Sequence, residues 1–272
     1  MPSPDLADAR GLIGPAITDV AGEPAGPVQI ERLVERYHWA ASYCAGRSVL
    51  EVACGTGQGL GLLRLRAAKV HGCDLSSENL RRARATYGRS IPLVQTDAQV
   101  LPFADESLDV IILLETLYFL PSATTFLSET ARVLRPGGQL LISCINKDCP
   151  DFNPNHPLYF AHYGAPELSG AIRNAGFDTE CFGIIPMDRP SARSRAFSPI
   201  KKLAVRLNLI PDSMQARLFL KRVVFGKLEA MPPDISSRPA PGRDPVPIAS
   251  DKPDSVHQVV LCAGTRSARD SL

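Results

Sequence analysis

Three carboxylates following strands and one cluster of glycines carry the chemistry that this chain could do. In Val49-Leu50-Glu51-Val52-Ala53-Cys54-Gly55-Thr56-Gly57-Gln58-Gly59 a short apolar strand runs into a glycine-rich turn, with Glu51 just ahead of the glycines. Asp74 ends a second apolar run, Asp97 follows a third, and Glu115 follows a fourth, Leu108–Leu114. Glycines allow a close backbone approach that a Cβ would block. An acidic residue at the end of the second strand can accept both hydroxyls of a ribose. The pattern is that of a site for a nucleoside-containing cofactor.

The details select among cofactors. A P-loop needs G-x-x-x-x-G-K-[ST], which is absent. A nicotinamide site needs G-x-G-x-x-G, but Gly55-Thr56-Gly57-Gln58-Gly59-Leu60 has leucine at the sixth place and glycine one place early. Glu51 would repel a diphosphate and favour a cation. S-adenosylmethionine carries a sulfonium and an α-ammonium group and no phosphate, so it fits better.

The elements around these residues alternate. Ile30, Leu33, Val34, Tyr37 and Ala41 share a helical face. Strands follow at Ser48–Ala53, Val70–Cys73, Ile91–Gln95, Leu108–Leu114, Leu140–Ile145, Phe177–Ile185 and Val256–Cys262, with helices between them over roughly 57–68, 76–87 and 122–135, and one from about Pro166 to before Gly176. Ser76 and Ser122 are placed as N-caps. This predicts an α/β, doubly wound, Rossmann-like seven-stranded sheet with an N-terminal helix and a helical insertion before the last strand. Such sheets gather ligands beyond the carboxyl ends of their strands, where strand order reverses. The expected units are a flexible arm at 1–29, a cofactor-binding core at 30–185, a basic helical cap and Pro-rich linker at 186–255, and a last strand and tail at 256–272.

Glu51-Val52-Ala53-Cys54-Gly55-Thr56-Gly57 resembles motif I of class I S-adenosylmethionine-dependent methyltransferases. The resemblance continues through Gly72-Cys73-Asp74-Leu75-Ser76, Thr96-Asp97-Ala98, Leu101-Pro102-Phe103 with Ser107-Leu108-Asp109, and Leu134-Arg135-Pro136-Gly137-Gly138, in register over roughly 30–185. It implies S-adenosyl-L-methionine as cofactor. Glu51, Ala53, Gly55 and Gly57 would line its methionine part, Asp74 the ribose, Leu75, Asp97 and Ala98 the adenine, and Glu115 the neighbourhood of sulfonium and acceptor. Tyr37 resembles an aromatic residue that covers the cofactor, although its place beside Leu33 and Val34 equally fits core packing.

The implied reaction is in-line methyl transfer to a small-molecule or glycan acceptor, foremost a hydroxyl (O-methylation). An NAD-dependent oxidoreductase and a non-catalytic S-adenosylmethionine-binding protein are the alternatives. A hydroxyl acceptor benefits from a general base, and His156 and His162, in the aromatic and polar stretch after the fifth strand, are the candidates.

Composition bounds the partners. Net charge is +2 and aromatic content 6%. With so few aromatics to stack on bases, nucleic acid is not expected. Residues 199–231 hold seven basic and two acidic residues, +5, which leaves −3 for the rest. That segment is expected to meet an anionic or lipid-linked acceptor or to touch a membrane surface peripherally. Seven cysteines without a C-x-x-C pair are expected to be reduced core residues rather than metal ligands, which points to the cytoplasm, with the inner membrane face as an extension. The N-terminus lacks a signal-peptide pattern, and the apolar run Val110–Leu120 is broken by Glu115.

Overall fold

The structure is a computed structural model that describes residues 19–150, 152–155, 158–186, 228–240 and 242–267. Helix α1 (Pro27–Ser42) begins with proline at its first position, where the missing N–H is not needed. Strand β1 (Ser48–Val52) leads through the glycine turn into the short helix α2 (Leu60–Arg64). Then follow β2 (Lys69–Asp74), α3 (Ser77–Tyr87), β3 (Leu93–Gln95), β4 (Leu108–Leu114), α4 (Ala123–Val133), β5 (Leu134–Ile145), α5 (Ala165–Asn174), β6 (Phe177–Pro186), β7 (Val246–Ile248) and β8 (His257–Arg266). Ser76 and Ser122 cap α3 and α4, each accepting from a backbone N–H three residues on.

The sheet order is β3-β2-β1-β4-β5-β8-β6-β7. β1 to β5 run parallel, and β8 enters antiparallel between β5 and β6. Strand order reverses between β1 and β4, so the ends of those two strands flank the crevice. The seven expected strands are present, and β7 makes an eighth, correcting the predicted count. It pairs with β6 through Val246, Pro247 and Ile248 inside the Pro-rich stretch. Proline cannot donate to a ladder, but an edge strand tolerates it, so β7 is compatible with a sequence that does not read as a strand.

β4 shows why both faces are covered. Val110, Ile112 and Leu114 pack with Ile30, Leu33 and Leu63 of α1 and α2. Ile111 and Leu113 pack with Phe126, Leu127, Leu168 and Ile172 of α4 and α5. Side chains alternate across a strand, so a continuous apolar run feeds two cores at once. Each fully buried Leu or Ile is worth roughly 1.5–3 kcal/mol of apolar burial, which anchors the strand ends that carry the site.

Two further segments reach the glycine turn. Ala21 N–H donates to Thr56 Oγ1 at 3.1 Å, and Gln58 Nε2 donates to the Asp19 carbonyl. Ile235 N–H donates to the Gln58 carbonyl at 3.0 Å, and Pro24–Ala25 pairs antiparallel with Glu229–Ala230. Of the basic segment 199–231, residues 199–227 lie outside the described residues. Among the described residues, no helix is long and apolar enough to cross a membrane.

Candidate active site

The turn after β1 is held in left-handed backbone at Ala53 (φ 55°), Gly55 (φ 57°) and Gly57 (φ 83°). A Cβ on Gly57 would stand 3.0 Å from Ala83 Cβ and 3.2 Å from the Tyr87 ring. At Gly59 an added Cβ would overlap the ring of Tyr37. This accounts for the glycine that comes one place early. The close approach here is to a side chain of α1, and Leu60 at the next position is wholly buried.

Tyr37 turns its hydroxyl to the next residue of the site, donating to Glu51 Oε1. Glu51 is 2% exposed, and its Oε2 has no hydrogen-bond partner. Burial pushes the Glu51 carboxyl up to about 8 against the pull of the Tyr37 hydroxyl and of Arg36, while Asp74 adds to the rise. Tyr37 is thus both a core residue and the support of Glu51.

Asp74, at the end of β2, accepts from Gly55 N–H and Ser76 N–H, each at 2.8 Å, and from Asn79 Nδ2 at 3.3 Å. Burial raises its pKa, and these donors oppose the rise. It locks the glycine turn to the neighbouring strand. Leu75 beside it is half-buried. Thr96 N–H donates to the Asp74 carbonyl at 3.2 Å, which brings the end of β3 alongside. There Asp97 accepts from Gln99 N–H at 2.8 Å, Ala98 is buried, and Gln99 Oε1 accepts from Ser122 N–H at the start of α4.

Glu115 follows β4 and also has left-handed backbone (φ 53°). Such a conformation costs a non-glycine residue about 1–3 kcal/mol and persists where its surroundings enforce it. Here they do. Glu115 N–H donates to the Ser143 carbonyl at 3.0 Å, Ser143 Oγ donates to Glu115 Oε1 at 3.0 Å, and the Tyr118 hydroxyl donates to Oε2 at 2.8 Å. The two non-glycine residues at the ends of β1 and β4, Ala53 and Glu115, flank the point where strand order reverses.

Arg36 was not singled out from the sequence, where it reads as one more charge on α1. It is buried, it donates to Asp19 Oδ2 at 2.9 Å, and its Nε has no partner. Burial disfavours its charge, but the carboxylates of Glu115 and Asp19 outweigh that and raise its pKa. The one available signal was an arginine adjacent to Tyr37 on an otherwise apolar face.

Beyond Glu115 lies a group of rings. Tyr118 meets Tyr159 edge-on with centroids 4.9 Å apart, and Phe152 stacks near-parallel to Tyr159 at 6.4 Å and 9°. His162 is exposed, with its ring edge-on to Phe152 at 5.3 Å and to Tyr159 at 5.7 Å. His156 lies outside the described residues. Asn146 instead ties the loop down, donating to the carbonyls of Asp254 and His257, and Lys147 pairs with Glu167 at 2.9 Å. Among the described residues, no group of three or more His, Cys, Asp or Glu could hold a metal ion.

The structure therefore joins Tyr37, Glu51, Ala53, Gly55, Gly57 and Asp74 in one bonded cradle. Arg36 connects that cradle electrostatically to Glu115, and Leu75, Asp97 and Ala98 stand at the adjoining strand ends. This sheet order with this cradle defines a Rossmann-like domain built to hold a nucleoside cofactor at its switch point.

Residues 50–142 match the family described as a methyltransferase domain. A probable S-adenosylmethionine-dependent methyltransferase of Mycolicibacterium smegmatis is 35% identical over 149 residues, 53% of this chain and 57% of that protein. The O-methyltransferase cnsE of Penicillium expansum is 33% identical over 172 residues, 58% of this chain and 62% of that protein. The chain thus spans under two thirds of the length of these curated relatives. In fold it is similar to an S-adenosylmethionine-dependent methyltransferase of Thermotoga maritima, with a TM-score of 0.57, 16% identity, and 88% and 91% of the two chains covered. Over residues 50–142 and in its fold the chain is thus similar to the class I S-adenosylmethionine-dependent methyltransferases.

Proposed function

We propose that this protein is an S-adenosylmethionine-dependent O-methyltransferase acting on a hydroxyl of a small-molecule or glycan acceptor. The single observation that carries the cofactor is the buried Glu51, whose Oε2 lacks a partner beside a glycine turn held open by Gly55 and Gly57. A carboxylate so placed awaits a cation, because an unpaired buried acceptor is costly. The cationic methionine end fits it, and Arg36, with its unpartnered Nε, suits a carboxylate nearby. Asp74 would hold the ribose, and Leu75, Asp97 and Ala98 the adenine. When bound, the cofactor supplies a methyl group on a good leaving group. This chain's residues then align the acceptor and exclude water, the main requirements of an in-line displacement.

The O-methyltransferase relatives support oxygen as the accepting atom. His162, exposed beside Phe152 and Tyr159, and His156 are the proposed general bases. The basic stretch 199–231 is proposed to meet an anionic acceptor or a membrane surface, and the cytoplasm is the proposed compartment. Calorimetry with S-adenosylhomocysteine and with NAD tests the cofactor assignment. Micromolar binding of the first and none of the second is expected, and the reverse would overturn it.

A further inference from the structure

Cys181 on β6 and Cys262 on β8 face each other across an antiparallel ladder, and the cofactor cradle uses neither. The register pairs them residue against residue. Their sulfurs lie 3.6 Å apart, although the residues are 81 positions apart in the chain. Directly opposed residues of such a ladder point to the same face of the sheet. Their Cα atoms lie about 4.5 or 5.5 Å apart, and both values fall within the roughly 4.4–6.8 Å that a disulfide bridges. The ladder thus presets the backbone for a bond that the two free thiols have not made. Cys144 on β5 is offset from this pair, since its partner on β8 is Val260.

The two sulfurs are chemically unequal. A thiolate at Cys181 accepts from the Cys262 S–H and lies near the Arg173 guanidinium of α5, and together these lower its pKa against the effect of burial. Cys262 moves the opposite way, because its proton is held by Cys181 and burial adds to the rise. Arg173 is itself fixed, with Nε donating to Thr179 Oγ1 at 2.9 Å. Both cysteines are buried. The cover over Cys181 on its outer side is β7, a three-residue edge strand that pairs Ile248 with Cys181. A short edge with few ladder bonds opens locally at low cost, and hydrogen peroxide is scarcely larger than water.

We propose that Cys181 and Cys262 are a peroxide-sensitive dithiol that closes to a disulfide between β6 and β8. The thiolate is the reacting form, so Cys181 attacks. Its sulfur bonds to one peroxide oxygen, the O–O bond breaks, and hydroxide leaves and takes up the proton that Cys181 released. The Cys262 sulfur then bonds to the Cys181 sulfur of the sulfenic acid. The S–O bond breaks, and the departing hydroxide takes the Cys262 proton as water. Two thiols lose two electrons and two protons, and one peroxide becomes two waters. Disulfides in a reducing compartment are of this transient, sensing kind. The bond joins the two strands on either side of residues 187–256, which include the basic stretch and the Pro-rich linker. It does not depend on the transfer reaction.

The test treats the reduced full chain with hydrogen peroxide and reads intact mass, a non-reducing peptide map and the thermal midpoint. A loss of two hydrogens, a 181–262 bridge and a higher midpoint are expected, all reversed by dithiothreitol. Cys144→Ala should keep the bridge. Cys262→Ala should leave a sulfenic acid on Cys181 that dimedone traps, and Cys181→Ala should leave Cys262 unlabelled. Recovery of all seven thiols after peroxide would overturn the proposal, as would a bridge to Cys144. A 181–262 bridge that forms only in urea would show that the fold keeps the thiols apart, and would equally sink it. Dimedone on Cys262 of Cys181→Ala, with none on Cys181 of Cys262→Ala, would overturn Cys181 as the attacking thiol.

Discussion

The ring of Tyr37 occupies the space that a Cβ on residue 59 would need, and the hydroxyl of the same ring holds Glu51. One glycine on the cofactor turn thus exists for a tyrosine on the first helix, and that tyrosine positions the carboxylate. Gly59→Ala should therefore act at a distance. We expect a loss of about 1–3 kcal/mol of stability, as for overpacked cores, and a weakening of S-adenosylhomocysteine binding of 10-fold or more. The double variant Tyr37→Ala/Gly59→Ala should recover part of the packing loss relative to the sum of the singles, but not the binding. Chemical denaturation and calorimetry read the two effects, and strict additivity in stability would refute the contact.

Glu51 makes both stability and binding depend on pH. Its folded pKa, pushed up to about 8 from an ordinary 4.5, means that the folded chain keeps a proton that the unfolded chain has released. Stability should therefore fall as pH rises from about 5 through 8, by up to 1.36 kcal/mol per pH unit at full linkage. Glu51→Gln should flatten that slope. A cationic ligand favours the ionised carboxylate, so calorimetry at pH 7 in two buffers of different ionisation enthalpy should show Glu51 releasing a proton on S-adenosylmethionine binding. The wild-type and Glu51→Gln proton counts should differ. Identical counts would show that Glu51 does not face the cation.

Asp74 serves the turn before it serves any ligand, because Gly55, Ser76 and Asn79 all donate to it. Hydrogen bonds to charged groups are worth about 1.5–3 kcal/mol each. Asp74→Ala should then weaken S-adenosylhomocysteine binding by more than 30-fold and lower stability together. Asp74→Asn, which keeps one carbonyl acceptor, should lose affinity with a smaller stability change. Titration calorimetry and thermal melts distinguish the two.

The caps test fold without site. Ser122 accepts from Thr125 N–H at 3.1 Å at the head of α4, and its tie to Gln99 runs through its backbone N–H, which Ser122→Ala keeps. Ser122→Ala should cost about 1 kcal/mol and leave S-adenosylhomocysteine affinity within 2-fold, measured by denaturation and calorimetry on the same preparation.

Local chemistry was enough to read much of the frame. The run Leu108–Leu114 is apolar in both alternating sets, so it had to be covered on both faces. Glycines at 55 and 57 with an acid at 74 had to form a strand–turn–helix joined to the next strand end. Ser76 and Ser122 announced their helices because caps involve residues three apart. The short edge strand Val246–Ile248 was not legible, since Pro247 within it and Pro245 just before it oppose a strand and only the waiting edge of β6 makes one. Helix α2 was read as longer than its five residues, because the left-handed glycine at 57 delays its start.

The sequence by itself determined the alternation of elements, the cation-seeking glycine turn and the carboxylates at the strand ends, because each is set by neighbours along the chain or by one strand's own period. Only the tertiary structure decided what those groups touch. Tyr37 against Gly59, Arg36 between Asp19 and Glu115, and Glu115 clasped by Ser143 and Tyr118 depend on how α1, β4 and β5 lie across the sheet. Those relations arise from packing angles and strand register, which no spacing within a single segment encodes.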